Sequence, residues 1–492
     1  MLARRLPAIL IQTWGVSAYM VLQPSVAHSE SIRQGAAPPQ AEIAESTLIF
    51  PMQQSHVHSS SIVELPDRSL LAAWFQGSGE RDADDVCIMA ARKPADVATW
   101  SEPFVLADTL GHPDCNPVLW LDGNQRLWLF WSAILSNEWE SSLVKYCNST
   151  NYLASNEPPR WEQQGVIHVA PSNFHGHMLA GWHQLITTVY FVPRAIHAEL
   201  SVTRLPKFLL EEWKLLAALM LPIPATIAFS AWRRRRTCRA GWKRFVLRAA
   251  ALHGSLLIVA VAGAVGYFSL QSHNKLNQRL GWMTANKPLQ LASGEIVLPL
   301  YSDRFVNSIM AISSDGGITW DTSEPLVGYG NIQPTLVVRG DGTIVAWMRE
   351  AGPRKRIRFS TSSDRGRTWS TVEDSELPNP GAKVAATTLA SGHWAVAYNP
   401  LVEGRHALSL SISYDEGTTW QSFHVLDEAA PKQGTFSYPC VLESSDGSIH
   451  VTYSYHQRRN GTSLKSIKHV RLRGPGSSKQ AQLAEGAAAA RR

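Results

Sequence analysis

The chain has 492 residues, 45% of them hydrophobic and 17% charged, with a net charge of +6. That charge is small for the length and concentrated in Arg233, Arg234, Arg235 and Arg236, which argues against a nucleic-acid partner. Five cysteines (Cys87, Cys115, Cys147, Cys238, Cys440) form no CxxC and no metal-ligand spacing, so neither a metal nor another cofactor is expected.

Met1 to Ser29 has the layout of a secretory signal: Arg4 and Arg5, an apolar run over Ala8–Leu22, and small residues at Ser25-Val26-Ala27. An uncleaved anchor is the alternative, because Gln12 and Thr13 interrupt the run. Residues 30–45 are polar and rich in Ala and Pro, as a linker would be. An export signal would permit disulfides among the cysteines other than Cys238.

From there a strand–turn–strand phrase recurs. It appears at Ser61–Phe75, Asn116–Trp131, Lys287–Tyr301, Gln333–Met348, Val384–Tyr398 and Tyr438–Tyr453, mostly with Gly-containing turns. A second phrase, S-x-D-x-G-x-T-W, closes three of these units. It reads Ser313 to Trp320, Ser362 to Trp369 and Ser413 to Trp420, about fifty residues apart. Asp and Ser can accept bonds from local N–H groups, Gly supplies positive φ and Trp a large apolar face, so these boxes are expected to staple turns rather than do chemistry. Thr99-Trp100 and Trp161 look like remnants of two more. Six β-meanders predict an all-β, six-bladed β-propeller, with blades one and two in 46–170 and blades three to six in 282–472.

Residues 171–281 break the repeat. Leu215–Trp232 and Ala249–Leu270 are apolar and flank a basic loop (Arg233 to Arg244), which predicts a two-helix transmembrane insertion. Runs of this length reach across most or all of a hydrocarbon core of about 30 Å. The basic loop is expected in the cytoplasm and the propeller outside it, at the cell surface or in the periplasm. Residues 473–492 read as a disordered tail.

The boxes resemble the Asp-boxes, or BNR repeats, of the sialidase (neuraminidase) superfamily, and the resemblance covers about Ser55 to Leu472 apart from the insertion. It implies an exo-glycosidase for an acidic sugar, whose carboxylate is clamped by arginines while a Tyr acts as nucleophile, a Glu assists it and an Asp serves as general acid. Arg349, after Val345-Ala346-Trp347-Met348, matches the second arginine, and Arg405 the third. Tyr438, in Phe436-Ser437-Tyr438-Pro439-Cys440, matches the nucleophile. The acid falls in the loop 79–85, where Asp82 is favoured over Glu80 and Asp84. Two positions depart from the pattern: His58 stands nearest the first arginine, and Asn331 stands where the assisting Glu is expected.

Apart from the resemblance, the first strands of all blades of a propeller converge on the axis, so polar residues at their ends should line one pocket. That set is His56, His58, Asp114, Asn116, Asn286, Lys287, Asn331, Gln333, Lys383, Ser437 and Tyr438. A non-catalytic propeller that binds glycan or protein, and a polysaccharide lyase using His56 or His58 with Tyr438, remain open beside the hydrolase.

Overall fold

In the computed structural model, the described residues are 43–153, 158–177, 269–459 and 461–474, with positions 255, 263, 266 and 267. They form six antiparallel sheets, one for each expected blade. Blade one comprises His56–Glu64, Leu70–Gly77, Cys87–Lys93 and Phe104–Ala107; blade two comprises Asp114–Leu121, Leu127–Ile134, Ser142–Ser149 and Gln163–Val166. Blade three has a broken innermost strand, Met283–Thr284 and Leu289–Gln290, followed by Ile296–Ser302, Asn307–Ser313 and Asp321–Thr322. Blade four is Asn331–Val338, Ile344–Glu350, Arg356–Ser362 and Glu373–Pro378; blade five is Ala385–Thr388, Trp394–Tyr398, Ala407–Ser413 and Gln421–Glu428.

Blade six is built from both ends of the ring. Gly434–Glu443, Ser448–Arg459 and Thr462–Arg473 supply three strands, and Ile43–Leu48 adds the fourth along Thr462–Arg473, with Ile43 opposite Leu472 and Leu48 opposite Lys468. This strand takes in residues 43–45, assigned above to a linker, and it closes the circle by placing residues from both ends of the ring in one sheet.

The core lies between blades. One cluster joins Leu71, Phe75 and Ile88 of blade one to Leu119, Leu129 and Trp131 of blade two; another joins Leu410 and Ile412 of blade five to Val451 and Tyr453 of blade six. The Asp-boxes occupy the turns between third and fourth strands. In the first, Asp315 accepts from the Thr319 N–H at 2.9 Å and Ser313 Oγ accepts from the Gly317 N–H at 2.8 Å. The same bonds recur at Asp364 and Asp415. Gly317 has φ +89°, and a Cβ there would lie 2.4 Å from the Trp128 ring, so only glycine fits. The box tryptophans reach the preceding blade: Trp320 meets Phe130 edge-on at 6.1 Å, and Trp420 meets Trp347 at 5.4 Å. The remnant tryptophans do likewise, Trp100 against His469 and Trp161 Nε1 donating to Leu106 O. The boxes are therefore inter-blade staples.

Among the described residues no helix is long and apolar enough to cross a membrane. The expected span 215–232 lies outside the described residues, and 249–270 lies largely outside them, as do the expected signal and the tail beyond 474. The described flanks of the insertion do meet. The His175 and His273 rings are 3.9 Å apart, and His175 Nδ1 lies 2.7 Å from Ser272 Oγ.

Candidate functional site

Four blades carry the same irregularity in the innermost strand. Ser59, Asn116, Gln333 and Tyr438 have φ of 55°, 53°, 55° and 56°, and the strand register slips at each. These are β-bulges, which interrupt the in–out alternation and re-aim one side chain. Positive φ is costly for a bulky residue such as Tyr and persists only where the surroundings hold it.

The surroundings do hold it. Thr284 Oγ1 donates to Asn116 O at 2.8 Å, and Asn286 Nδ2 donates to Gln333 O and Pro334 O at 3.1 Å each. Lys383 Nζ donates to Pro439 O at 2.6 Å, and Ser454 Oγ accepts from the Ser59 N–H at 3.0 Å. In each case a neighbouring blade grips the bulge. Lys383 is fully buried, and burial brings its ammonium down to about 8.

The bulges bring a polar cluster together on the axis. Arg349 Nη1 donates to Tyr438 Oη at 3.2 Å and to Gln333 Oε1 at 3.3 Å. Gln333 Nε2 donates to Tyr438 Oη at 3.1 Å and to Tyr301 Oη at 3.2 Å, and Asn116 Nδ2 also reaches Tyr301 Oη at 3.2 Å. The Arg405 guanidinium lies 5.7 Å from the Tyr438 ring centre and is aimed by its bond to Gly381 O at 2.7 Å. On the other side His58 packs against Tyr438, ring centres 4.1 Å apart, with His456 5.7 Å beyond. His456 Nε2 lies 2.9 Å from Val57 O, an acceptor, which assigns the proton to that nitrogen.

Two charge features stand out. Neither Arg349 nor Arg405 has a carboxylate in ion-pair contact among the described residues. Burial, and then repulsion from Arg349, brings Arg405 down to about 10. The imidazoles, by contrast, are held neutral. His58 is pushed well below its ordinary value by burial and then by His456 and His56; His56 falls to about 4 through burial and the Lys465 charge. Burial raises Glu80, and the nearby Asp82 and Asp303 charges add to that against the opposing pull of Arg81. Burial also pushes Tyr301 well up.

Of the expected residues, Tyr438, Arg349, Arg405, His58, Gln333 and Asn116 come together here. Asn331 does not join them: it is buried, with Oδ1 accepting from the Ser308 N–H at 3.1 Å and Nδ2 donating to Gly328 O, so it ties blade four to blade three. Asp114 is likewise spent on Trp131 Nε1 at 2.8 Å and the Thr109 N–H at 2.7 Å. Asp82 and Asp84 are exposed; Asp82 accepts from the Glu80 N–H at 3.1 Å, and Asp84 from Asn137 Nδ2 at 2.9 Å. Lys287 lines a cavity at the opposite mouth of the ring. Tyr301 and His456 sit on second strands, outside the set that first-strand positions define.

The sequence pattern of the BNR repeat-like domain matches residues 68–203 and 271–451, more than half of the chain. The chain belongs to the BNR repeat-like domain family. No curated protein matches the sequence significantly. Among solved structures, this BNR propeller is similar to a protein of unknown function from Dyadobacter fermentans (12% identity, TM-score 0.56, covering 89% of this chain and 100% of that one). It is also similar to the NanB sialidase of Streptococcus pneumoniae (11%, 0.53, 87% and 70%) and to the intramolecular trans-sialidase of Ruminococcus gnavus (12%, 0.51, 85% and 94%). At such identities the likeness is one of fold.

Proposed function

We propose that this BNR propeller is a sialidase-like exo-glycosidase for a carboxylate-bearing sugar. The observation that carries the reading is the pair of guanidiniums, Arg349 and Arg405, converging on Tyr438 with no carboxylate among the described residues paired to either. Such a pair is matched by a bound carboxylate, which a guanidinium can hold through two parallel bonds. Tyr438 Oη then attacks the anomeric carbon as the glycosidic C–O bond breaks. The phenol proton passes to neutral His58, which stands in for the assisting carboxylate absent at Asn331. Glu80, whose raised value keeps more of it protonated, delivers its proton to the leaving oxygen; Asp82 is too exposed for that task. Water hydrolyses the glycosyl-tyrosine, its proton returns to Glu80, and His58 gives its proton back to Tyr438. Gln333 and Asn116 position Tyr438 and Tyr301.

The test is turnover of a panel of acidic aryl glycosides by the full-length protein, with mass spectrometry after a fluorinated, slow-deglycosylating substrate analogue. A covalent adduct on Tyr438, and loss of turnover in Tyr438→Phe, are expected. No turnover of any member by folded protein refutes hydrolysis; ligand binding retained in Tyr438→Phe then leaves a glycan-binding propeller.

A second reading rests on the 4.1 Å packing of His58 against Tyr438. A neutral imidazole beside a phenol is a base–acid pair suited to β-elimination from a uronic acid, and an unsaturated product absorbing in the ultraviolet identifies it.

We further propose that 215–232 and 249–270 tether the propeller outside the cytoplasm, with 233–244 inside. The adjacent flanks at His175 and His273 support this, since a hairpin must leave and return at one place. A cysteine at Ala240, in a Cys238→Ser background, should resist impermeant reagents until cells are opened; labelling in sealed cells overturns the topology.

A further inference from the structure

The innermost strands open at the Tyr438 site and close at the other mouth of the ring. There Glu64, Leu121 and Leu442, at or next to the far ends of the strands of blades one, two and six, help to line a cavity of about 380 Å³. Val63, Leu289, Leu336 and Val441 give it aliphatic surface, and Asn286, Thr335 and Thr387 contribute to a polar share of about half. Lys287 lines it too. It is half-buried, with no hydrogen-bond or ion-pair partner among the described residues. The wholly buried Lys383 ammonium lies near enough to Lys287 to be repelled by it. The one carboxylate in the lining, Glu64, is occupied at the rim by the Ser445 N–H at 2.7 Å and Ser445 Oγ at 3.0 Å.

We propose that this cavity is a second ligand site, taking an amphipathic monoanion whose carboxylate meets Lys287 and whose short aliphatic chain fills the space between the leucines and valines. An unpaired ammonium with aliphatic side chains in the same cavity is complemented by an anion with a short apolar body, and the volume is at the small end of the range for organic-ligand sites. The proposal does not rest on the reading of the Tyr438 site.

The experiment titrates the full-length protein with octanoate labelled with carbon-13 at the carboxyl group, read by its carboxyl resonance after subtracting a blank without protein. Saturable binding of one equivalent is expected. It should weaken at least tenfold in Lys287→Met, recover in Lys287→Arg and survive Arg349→Lys. Octan-1-ol at equal concentration should not displace it. Absence of saturable binding overturns the proposal. So does affinity unchanged in Lys287→Met, equal competition by octanol, or loss of binding in Arg349→Lys, which would place the anion at the Tyr438 site instead.

Discussion

Acid should loosen the blade that closes the ring, and His450 lets the effect be sized. It is buried in blade six, with Nδ1 2.9 Å from His469 Nε2 and Nε2 3.0 Å from Ser444 Oγ. Burial, helped by Arg471 and Lys93 and opposed by Asp446, brings it from 6.5 to about 4. His469, beside Glu45 of the closing strand and Trp100, is also pushed well down. Between about pH 6.5 and 4 the unfolded chain therefore binds a proton at His450 that the folded chain refuses. The stability contribution is whole above 6.5, falls as pH drops through the window and is gone below about 4. At 1.36 kcal/mol per pH unit this gives about 3 kcal/mol from His450 alone. Urea unfolding at pH 7 and pH 4, on wild type and His450→Gln, measures it. The variant should lose about 3 kcal/mol less than wild type over that interval. Equal losses would falsify the assignment, since His56 and His456 titrate in the same sense in both proteins.

Lys383→Met removes the donor to Pro439 O while keeping most of the side chain's bulk. It should cost about 1–3 kcal/mol for the orphaned carbonyl and lower kcat more than KM, because Tyr438 loses its grip; chemical unfolding and steady-state kinetics separate the two. Gly317→Ala should cost about 2 kcal/mol or more, since it combines positive φ with a clash on Trp128, whereas Gly316→Ala, at φ +74° in open space, should cost about 1 kcal/mol; the difference in urea midpoint reads the clash. Arg358→Met should cost about 3–5 kcal/mol by leaving Glu350 buried without its 3.2 Å partner. Glu350 is already raised to about 7, burial outweighing the pair, so adding Glu350→Gln should return part of that stability.

The fold was legible because the Asp-boxes and hairpin turns recur in register with the blades, and local turn chemistry is written in residue types. Arg349, Arg405 and Tyr438 were legible from the short motifs around them. The aim of the other side chains was not. Each bulge shifts the alternation by one residue, and nothing in Asn331-Ile332-Gln333 announces that Gln333 faces the cluster while Asn331 is locked to Ser308. Lys287 and Gln333 each precede a proline, yet one faces each mouth. The loop 79–85 offered four acids, and only packing distinguishes the half-buried Glu80 from the exposed Asp82. The closing strand was not legible because Ile43–Leu48 is mostly exposed and its first three residues read as polar linker.

That strand also sets a timetable. Leu48 pairs with Lys468, so during synthesis Ile43–Leu48 waits for Thr462–Arg473. At about 5–20 residues per second the interval is roughly 20–80 s. Throughout it, the hydrogen-bonding groups of Ile43–Leu48 have no partner in their own sheet. Its Glu45-Ser46-Thr47 centre is poor material for pairing with a stray chain. The nascent protein can therefore hold its clasp open without sticking to its neighbours, and the ring locks only once Thr462–Arg473 has been made.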